Sequence, residues 1–545
     1  MSPLLHWAQI FNHLGYLLLQ VFIIVISLLL LNSAYAEQTL TPVEVVAKET
    51  NDLVDIQIIG HQQRIDRDVF ANTYLHLDEL LEQQAGIDIQ SIGGNGQYSF
   101  PTIRGSSGKQ VLIFWDGMLI NDLNGGNADI GSLSLSSAGN IDIYRGMSPI
   151  ELSPTAVGGV INIQSQELED NSGEAGITLG SFETSELYLS QKISSDNASL
   201  YFNINSFSSK NNFTYLEQSP VSSPNDPAVE ERENNGVDNK SLLAKIHYDV
   251  SNTIRFDASA QLQDGKREIS SRINSDKNTA NLTHDAYRIQ TALSHNSKDI
   301  GRTQLRVSKQ NNDELYDDEG SSVGLGSQYN VYTTDKNGVA LQHDLRLNKA
   351  SVVFSAGLDN EQVKTDFPRE ENIPDSCTLG GKCETDFTRN ALNVGTRLNF
   401  ELTENLSLMQ QIAWLEYKDK NKSNDVEEEF KQDFNATTFD SGLSYQLIDG
   451  IALYLKTGKQ VRPPSSSELF GDRGTSKGNP DLVAEKSRYN EIGLSLSHSI
   501  ITFDTSIYQR ILTDTITPSA DSRGIISFEN IAKTQHTGIE LTSSL

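Results

Sequence analysis

The side chains best able to do chemistry sit in a few short stretches. Asp313, Glu314, Asp317, Asp318 and Glu319 crowd five carboxylates together, and oxygen ligands at that density can hold Ca2+. Their spacing is not that of an EF-hand, and a solvated acidic loop is the plainer reading. His343 and Asp344 are adjacent. Within an alternating strand neighbours face opposite ways, so they form no catalytic pair. Ser465, Ser466 and Ser467 fall in a loop near no evident base, and neither G-x-S-x-G nor a Walker A motif occurs. Cys377 and Cys383, the only cysteines, bracket a Thr-Leu-Gly-Gly-Lys turn. In an exported chain so close a pair reads as a local disulfide that stiffens one loop, with metal binding the lesser alternative. Two turns, Gly93 to Phe100 and Asn121 to Asn127, present Gln97, Tyr98, Phe100, Asn121, Asn124 and Asn127. Aromatics with amides suit a bulky polar ligand; plain loop surface is the bland alternative. No enzyme is expected from this inventory.

The elements that carry these residues are strands. Leu242, Ala244, Ile246, Tyr248 and Val250 alternate with Leu243, Lys245, His247 and Asp249. Beyond Ser251-Asn252 the pattern resumes with Ile254, Phe256, Ala258, Ala260 and Leu262. One greasy face and one charged face require oil on one side and water on the other. About sixteen such strands are expected from residue 174 onward. Short turns near 195–197, 251–252, 296–302, 348–349, 404–405, 449–450 and 498–499 alternate with long loops. That alternation is how outer-membrane barrels insert, turns periplasmic and loops outside. A soluble sandwich predicts no such regularity.

Residues 51–166 differ. The segment HLDELLEQQ puts Leu77, Leu80 and Leu81 on one helical face, with acids in its first turn and Gly86 to end it. Strands follow at 87–90, 110–117, 141–146 and 158–166, several apolar on both faces and so buried on both sides. A small α/β domain therefore precedes the wall. Ahead of it, residues 1–36 hold no Lys, Arg, Asp or Glu, run apolar from Leu14 to Leu31 and end in Ala34-Tyr35-Ala36; a cleavable signal peptide is expected, with a retained transmembrane helix as the alternative. The chain of 545 residues has a formal net charge of −29, which disfavours nucleic acid as a partner.

Four phrases carry a family resemblance: Ile103-Arg104-Gly105, Val111 to Gly117, Ile141 to Gly146 and Ala156 to Ile163. In order and spacing they resemble the plug of TonB-dependent outer-membrane transporters. Val461-Arg462-Pro463-Pro464 with Glu468, Asn479-Pro480-Asp481-Leu482 with Glu485, and Thr537 to Leu541 resemble later barrel segments of the same family. The resemblance implies a mainly β fold, with an N-terminal α/β plug (51–166) inside a transmembrane antiparallel β-barrel (174–545). It implies a Ton box and linker at 37–50, with Val43, Glu44, Val45, Val46 and Ala47 binding TonB by strand pairing. It also implies that Arg104, Gly105, Arg145, Gly146, Gly158 and Gly159 seat the plug. Arg suits the seating role, because its fork pairs bidentately with a carboxylate.

The function so implied is TonB-powered uptake of a scarce chelate across the outer membrane, a ferric siderophore first, with cobalamin, haem or an oligosaccharide as alternatives. A passive or docking barrel is the competing class. The protein is expected to act as a monomer amid lipid and lipopolysaccharide, without a resident cofactor. Family barrels have 22 strands and an aromatic last residue. About sixteen are legible here and the sequence stops at Leu545, so a truncated record or gene is expected, with a smaller natural barrel as the alternative.

Overall fold

The computed structural model describes residues 59–544 apart from 61, 72, 154, 168–169, 218–227, 272–273, 324–325, 369–384, 423–429, 472–475, 499–500 and 521–525. The expected signal peptide, the Val43–Ala47 segment and the Cys377/Cys383 pair lie outside the described residues.

The plug comes first. Its strands are β1 (Gln62–Asp66), β2 (Ile87–Ser91), β3 (Ser99–Ile103), β4 (Val111–Trp115), β5 (Met118–Leu119), β6 (Ala138–Arg145) and β7 (Gly159–Ser165). Five of them form a sheet in the order β1-β6-β7-β4-β5, while β2 and β3 pair as a separate hairpin. Strands β4 and β7 run parallel; the other pairs are antiparallel. Central β6 and β7 are buried along most of their length, as two-sided apolar strands must be. Helix α1 (Arg67–Phe70) and helix α2 (Leu77–Glu82) cover the sheet, α2 burying Leu77, Leu80 and Leu81. The Glu79 carboxylate accepts the His76 N–H at 3.0 Å and closes the first turn of α2. Asp116 and Gly117 both have positive φ, 48° and 78°, and join β4 to β5 in a two-residue hairpin. Strand β1 and helix α1 are too short and polar, and β3 too short, to stand out in the sequence.

Among the described residues, the wall consists of sixteen strands of seven to twenty residues and the two-residue strand Ser476–Lys477. They close into a ring, with Ile526–Ser544 standing beside Gly173–Leu179. The outward face is apolar in register. Leu293 faces Leu305, which faces Leu341 on the next strand, and the three are 49%, 44% and 48% exposed. A second row runs Leu408, Leu443, Leu455, Ile492, Ile507 and Ile539 across six strands. Water on that face would be costly, and lipid would not.

The strands outrun the membrane. Gln328–Leu347 has twenty residues, about double the roughly 9–11 that cross a bilayer. Strand Gly301–Asp318 likewise carries Asp313, Glu314, Asp317 and Asp318 within the ladder, leaving only Glu319 in the turn. The acidic cluster is therefore not the loop expected from the sequence. Pairing continues above the lipid because both neighbours continue, and backbone hydrogen bonds need no apolar pattern.

Candidate functional site

Where the plug meets the wall, polar contacts stand beside small apolar patches at Leu123, Met147 and Ile150. Strand β3 ends at buried Ile103, and the next two residues, Arg104 and Gly105, take φ of 53° and 70°. That turn aims the Arg104 guanidinium at the wall. Nη1 and Nη2 reach Glu491 at 3.0 and 3.2 Å; Nε and Nη2 reach Glu540 at 3.0 and 2.7 Å. The Tyr508 ring lies 4.2 Å below. Burial opposes the charge on Arg104, but the carboxylates of Glu540 and Glu491 outweigh it and hold the pKa above its ordinary value. Arg510 donates to the carbonyls of Arg104 and Val157 at 3.0 and 3.3 Å. A Cβ at Gly105 would come within 2.9 Å of the His536 ring.

Arg145, at the end of β6, is fully buried and works chiefly inside the plug. Its Nη2 donates to the Ala85 carbonyl and to Gln63 at 2.7 and 2.8 Å, while its Nε lies 3.9 Å from Glu540. Burial lowers its pKa to about 10 despite that carboxylate. Lys456 of the wall donates to the Arg145 carbonyl at 3.1 Å, and Gly146 faces Tyr489. Gly158 and Gly159 make their closest approaches to plug backbone. A Cβ on Gly158 would lie 2.8 Å from the Gln110 carbonyl, and one on Gly159 2.7 Å from that of Tyr144. They allow central β7 to pack within its own sheet.

Further staples circle the plug. Arg67 pairs with Glu174 at 2.6 Å, Glu151 with Arg397 at 2.5 Å, and Asp129 with Arg267. Lys245 reaches the Ser165 hydroxyl at 2.6 Å, Gln263 the Ser132 carbonyl at 3.1 Å, and Gln411 the Ser148 carbonyl at 2.8 Å. The wall residues in these pairs sit on strands all around the ring, so the plug lies within the barrel.

The apex differs from expectation in detail. Gln97 is buried and donates to the carbonyls of Asn235 and Glu268 at 2.8 and 3.2 Å, capping wall strands. Asn121 is buried as well, its amide consumed by Ile113 N–H and the Val111 and Gly126 carbonyls. These two side chains shape the plug and its junction with the wall. Asn124 is buried, and its carbonyl accepts the Ser467 N–H at 3.1 Å. Tyr98 and Phe100 are half-buried neighbours, with Asn127 donating to the Tyr98 hydroxyl at 3.0 Å.

Ser465, Ser466 and Ser467 are buried, not in open loop as expected: Ser465 caps helix α3 (Ser466–Phe470). The Glu468 carboxylate of that helix takes Arg462 at 3.0 Å and Lys109 of the plug at 3.5 Å. Burial would raise the Glu468 pKa, but Arg462 and Lys109 outweigh it and hold it at about 2. The Ser466 N–H donates to the Leu123 carbonyl at 3.0 Å, so α3 clasps the plug apex. A cavity of about 230 Å3 opens between apex and wall, lined by Phe114, Asp122, Arg306, Lys336, Glu361 and Arg389 among others. Burial, with Glu314 and Glu361 adding to it, pushes Asp122 up to about 7. Asp318 spends both carboxylate oxygens on the N–H groups of Ser322 and Val323, at 2.7 and 3.0 Å. Among the described residues no group of three or more His, Cys, Asp or Glu is placed to hold a metal. His343 bonds Thr303 and Asp344 bonds Gln342, on opposite faces.

A plug stapled inside a barrel of outward-greasy strands is a known class. Residues 57–160 match the family model for the TonB-dependent Receptor Plug Domain, and 181–545 that for the TonB dependent receptor-like beta-barrel. The chain belongs to the TonB-dependent receptor family, whose members reside in the outer membrane. A Vitamin B12 transporter BtuB of Vibrio vulnificus (strain YJ016) is 22% identical over 443 residues, 80% of this chain and 64% of that protein. The chain thus spans just under two thirds of that relative's length. A BtuB of Photobacterium profundum is 20% identical over 93% of this chain and 73% of its own length. Among solved structures, the copper transporter OprC aligns with a TM-score of 0.69 at 14% identity, covering 85% of this chain and 72% of its own. The ferric yersiniabactin uptake receptor FyuA from Yersinia pestis gives 0.65 at 14%, covering 89% and 76%.

Proposed function

We propose that this protein takes up a bulky metal chelate across the outer membrane, with a ferric siderophore as the first substrate class, and that TonB supplies the work. The observation that carries this is the filled lumen. A barrel whose interior is occupied by a folded domain, bonded to the wall by buried ion pairs, offers no passive route. Passage requires that those bonds be broken, and the outer membrane has no nucleotide to drive it. Ile59 packs against Met409 and Met147. Met409 lies only three residues from the short turn before Leu406, so the chain enters the plug from the turn side, where an inner-membrane partner can reach. Val43 to Ala47 is the proposed handle, because strand addition needs only backbone groups. Cobalamin is the second reading, favoured by the names of the curated relatives above.

The test is growth of cells starved of iron or of cobalamin and supplied with different chelates, with and without TonB. Rescue by a ferric siderophore that depends on TonB is expected. Deleting residues 43–47 should abolish that rescue and leave chelate binding intact. Rescue that survives loss of TonB would make the barrel passive.

A further inference from the structure

Three inward cations on one part of the wall stand opposite acids. Arg302 faces Asp344 across the ladder, Lys336 faces Glu361, and Arg389 faces Asp419 and holds it at 2.8 and 2.6 Å. Arg306 does not: its ladder neighbours are Ala292 and Ala340. Its Nη2 donates to the Gln304 amide oxygen at 3.1 Å, its Nε is withdrawn from water without a partner, and among the described residues it takes no ion pair. A cation so placed weakens a fold.

The Arg306 head lines the cavity between plug and wall. Its strand also carries Asn312, which bonds the apex residue Asp122 at 3.2 Å, so Arg306, six residues nearer the turn end, stands below the apex. There it passes under the Asp116–Gly117 turn: a Cβ on Gly117 would come within 2.9 Å of Nη1. Asp116 is already engaged, accepting the Ser165 N–H and hydroxyl at 2.9 and 2.7 Å and facing Lys245 at 3.6 Å. The wall beside Arg306 is bare, with Ala340 next to Gly357 and Ser308 next to Gly338. Asp359, across from Gly338, lines the same space and does not pair with Arg306. Gln290, on the neighbouring strand and diagonal to Arg306, donates to the Asp116 carbonyl at 3.4 Å and leaves its Oε1 without a partner. The cavity of about 230 Å3 has room for several waters, hence for one arm of a bulky chelate and not for the whole.

We infer that Arg306 and Gln290 form an anion subsite below the plug apex, which takes a carboxylate or phosphate on one arm of the cargo. The guanidinium fork matches a pair of anionic oxygens, and Gln290 Oε1 accepts a hydroxyl of the same arm. The subsite rests on the uptake reading for its cargo and adds the class: a chelate that carries anionic oxygen groups beyond those that hold its metal.

The full-length chain, folded in detergent, is titrated by calorimetry with L-malate, with inorganic phosphate, and with dimethyl malate as the uncharged control. Wild type should bind one or both anions and not the ester. R306Q should weaken that binding about tenfold or more, the worth of a charge-assisted hydrogen bond, and R306K should recover part of it. Arg288, on the neighbouring strand, donates to Gln261 and Gln263 and does not line the cavity, so R288Q should leave the affinity unchanged. A preference for malate that R306Q loses assigns a carboxylate arm, and a preference for phosphate that R306Q loses assigns a phosphate ester. Binding that survives R306Q, an equal loss in R288Q, or no binding of either anion by the wild type overturns the subsite. Stability supplies a second readout. R306Q strands no carboxylate, so in anion-free buffer it should melt no lower than wild type, and a fall in Tm would make Arg306 a residue of the fold instead. Loss of TonB dependence with anion binding intact would overturn the uptake reading and leave the subsite standing.

Discussion

The inside of the plug and the seam around it are built from different materials. Leu80, Leu81, Ile103, Ile141, Ile161 and Ile163 meet in one hydrocarbon core. At the seam, buried ion pairs and hydrogen bonds join Arg104 to Glu491 and Glu540, Arg397 to Glu151, and Lys245 to Ser165, beside only small apolar patches at Leu123, Met147 and Ile150. Water cannot replace hydrocarbon contacts without loss, whereas it can take over hydrogen bonds and solvate separated ions. A plug so made can part from its seat while staying folded, which a uniformly apolar interior would forbid.

The largest expected effect comes from breaking the seam at its most buried point. Arg104→Ala leaves two carboxylates buried without their cation, a loss of about 3–5 kcal/mol. The barrel should then leak small solutes in vesicle efflux assays, while amide exchange in β6 and β7 stays slow. Adding Glu491→Gln alone to Arg104→Ala should recover part of the loss, since the remaining Glu540 still has Arg145 at 3.9 Å. Fast exchange in β6 and β7 of Arg104→Ala would mean that seam and core are one cooperative unit.

Ile161→Ala tests the other side of the comparison. Ile161 is fully buried at the middle of β7, and its truncation should cost about 2–5 kcal/mol by cavity formation. Exchange should rise in β4, β6 and β7 and remain unchanged in the wall strands. Equal loosening of Glu485–His498 would erase the distinction between the two materials.

The wall was legible because its chemistry is periodic: an alternation of two and a turn every other connection can be read without knowing which strand lies beside which. Helix α2 was legible for the same reason, from Leu77, Leu80 and Leu81. The seam was not. Arg104 stands 387 residues from Glu491 and 436 from Glu540, and only the family phrase around it singled it out. The apex is harder to read. Gln97 and Asn121 have the composition of ligand contacts, and in the structure their side chains bond backbone groups of the wall and of the plug. Polar residues of the Asp313 type read as loop because alternation of hydropathy ends where lipid ends, although the ladder goes on.

A smaller effect is expected from acid at the apex clasp. The Glu468 carboxylate is held at about 2, below its unfolded range, so its contribution to α3 is present above that range. As pH falls from about 4.5 through 2 the contribution is lost. Exchange of the Ser466 and Ser467 amides, which bond Leu123 and Asn124 of the plug, should quicken over that window. Glu468→Gln should quicken it at neutral pH and flatten the acid response. An unchanged acid response in Glu468→Gln would assign the titration to another group.

The smallest expected effect isolates the clasp from the charge. Ser465 caps α3, its hydroxyl accepting the Glu468 N–H at 3.4 Å while the Glu468 carboxylate accepts the Ser465 N–H at 2.8 Å. Ser465→Ala removes one arm of that box and should cost about 1 kcal/mol. Because the Arg462–Glu468 pair survives, the pH window should stay where it is while the exchange rate of Ser466 and Ser467 rises at every pH. If the clasp is part of the seam, the plug core should not notice: β6 and β7 should exchange as in the wild type. If they quicken too, α3 braces the plug's fold and belongs with the hydrocarbon core, not with the releasable contacts.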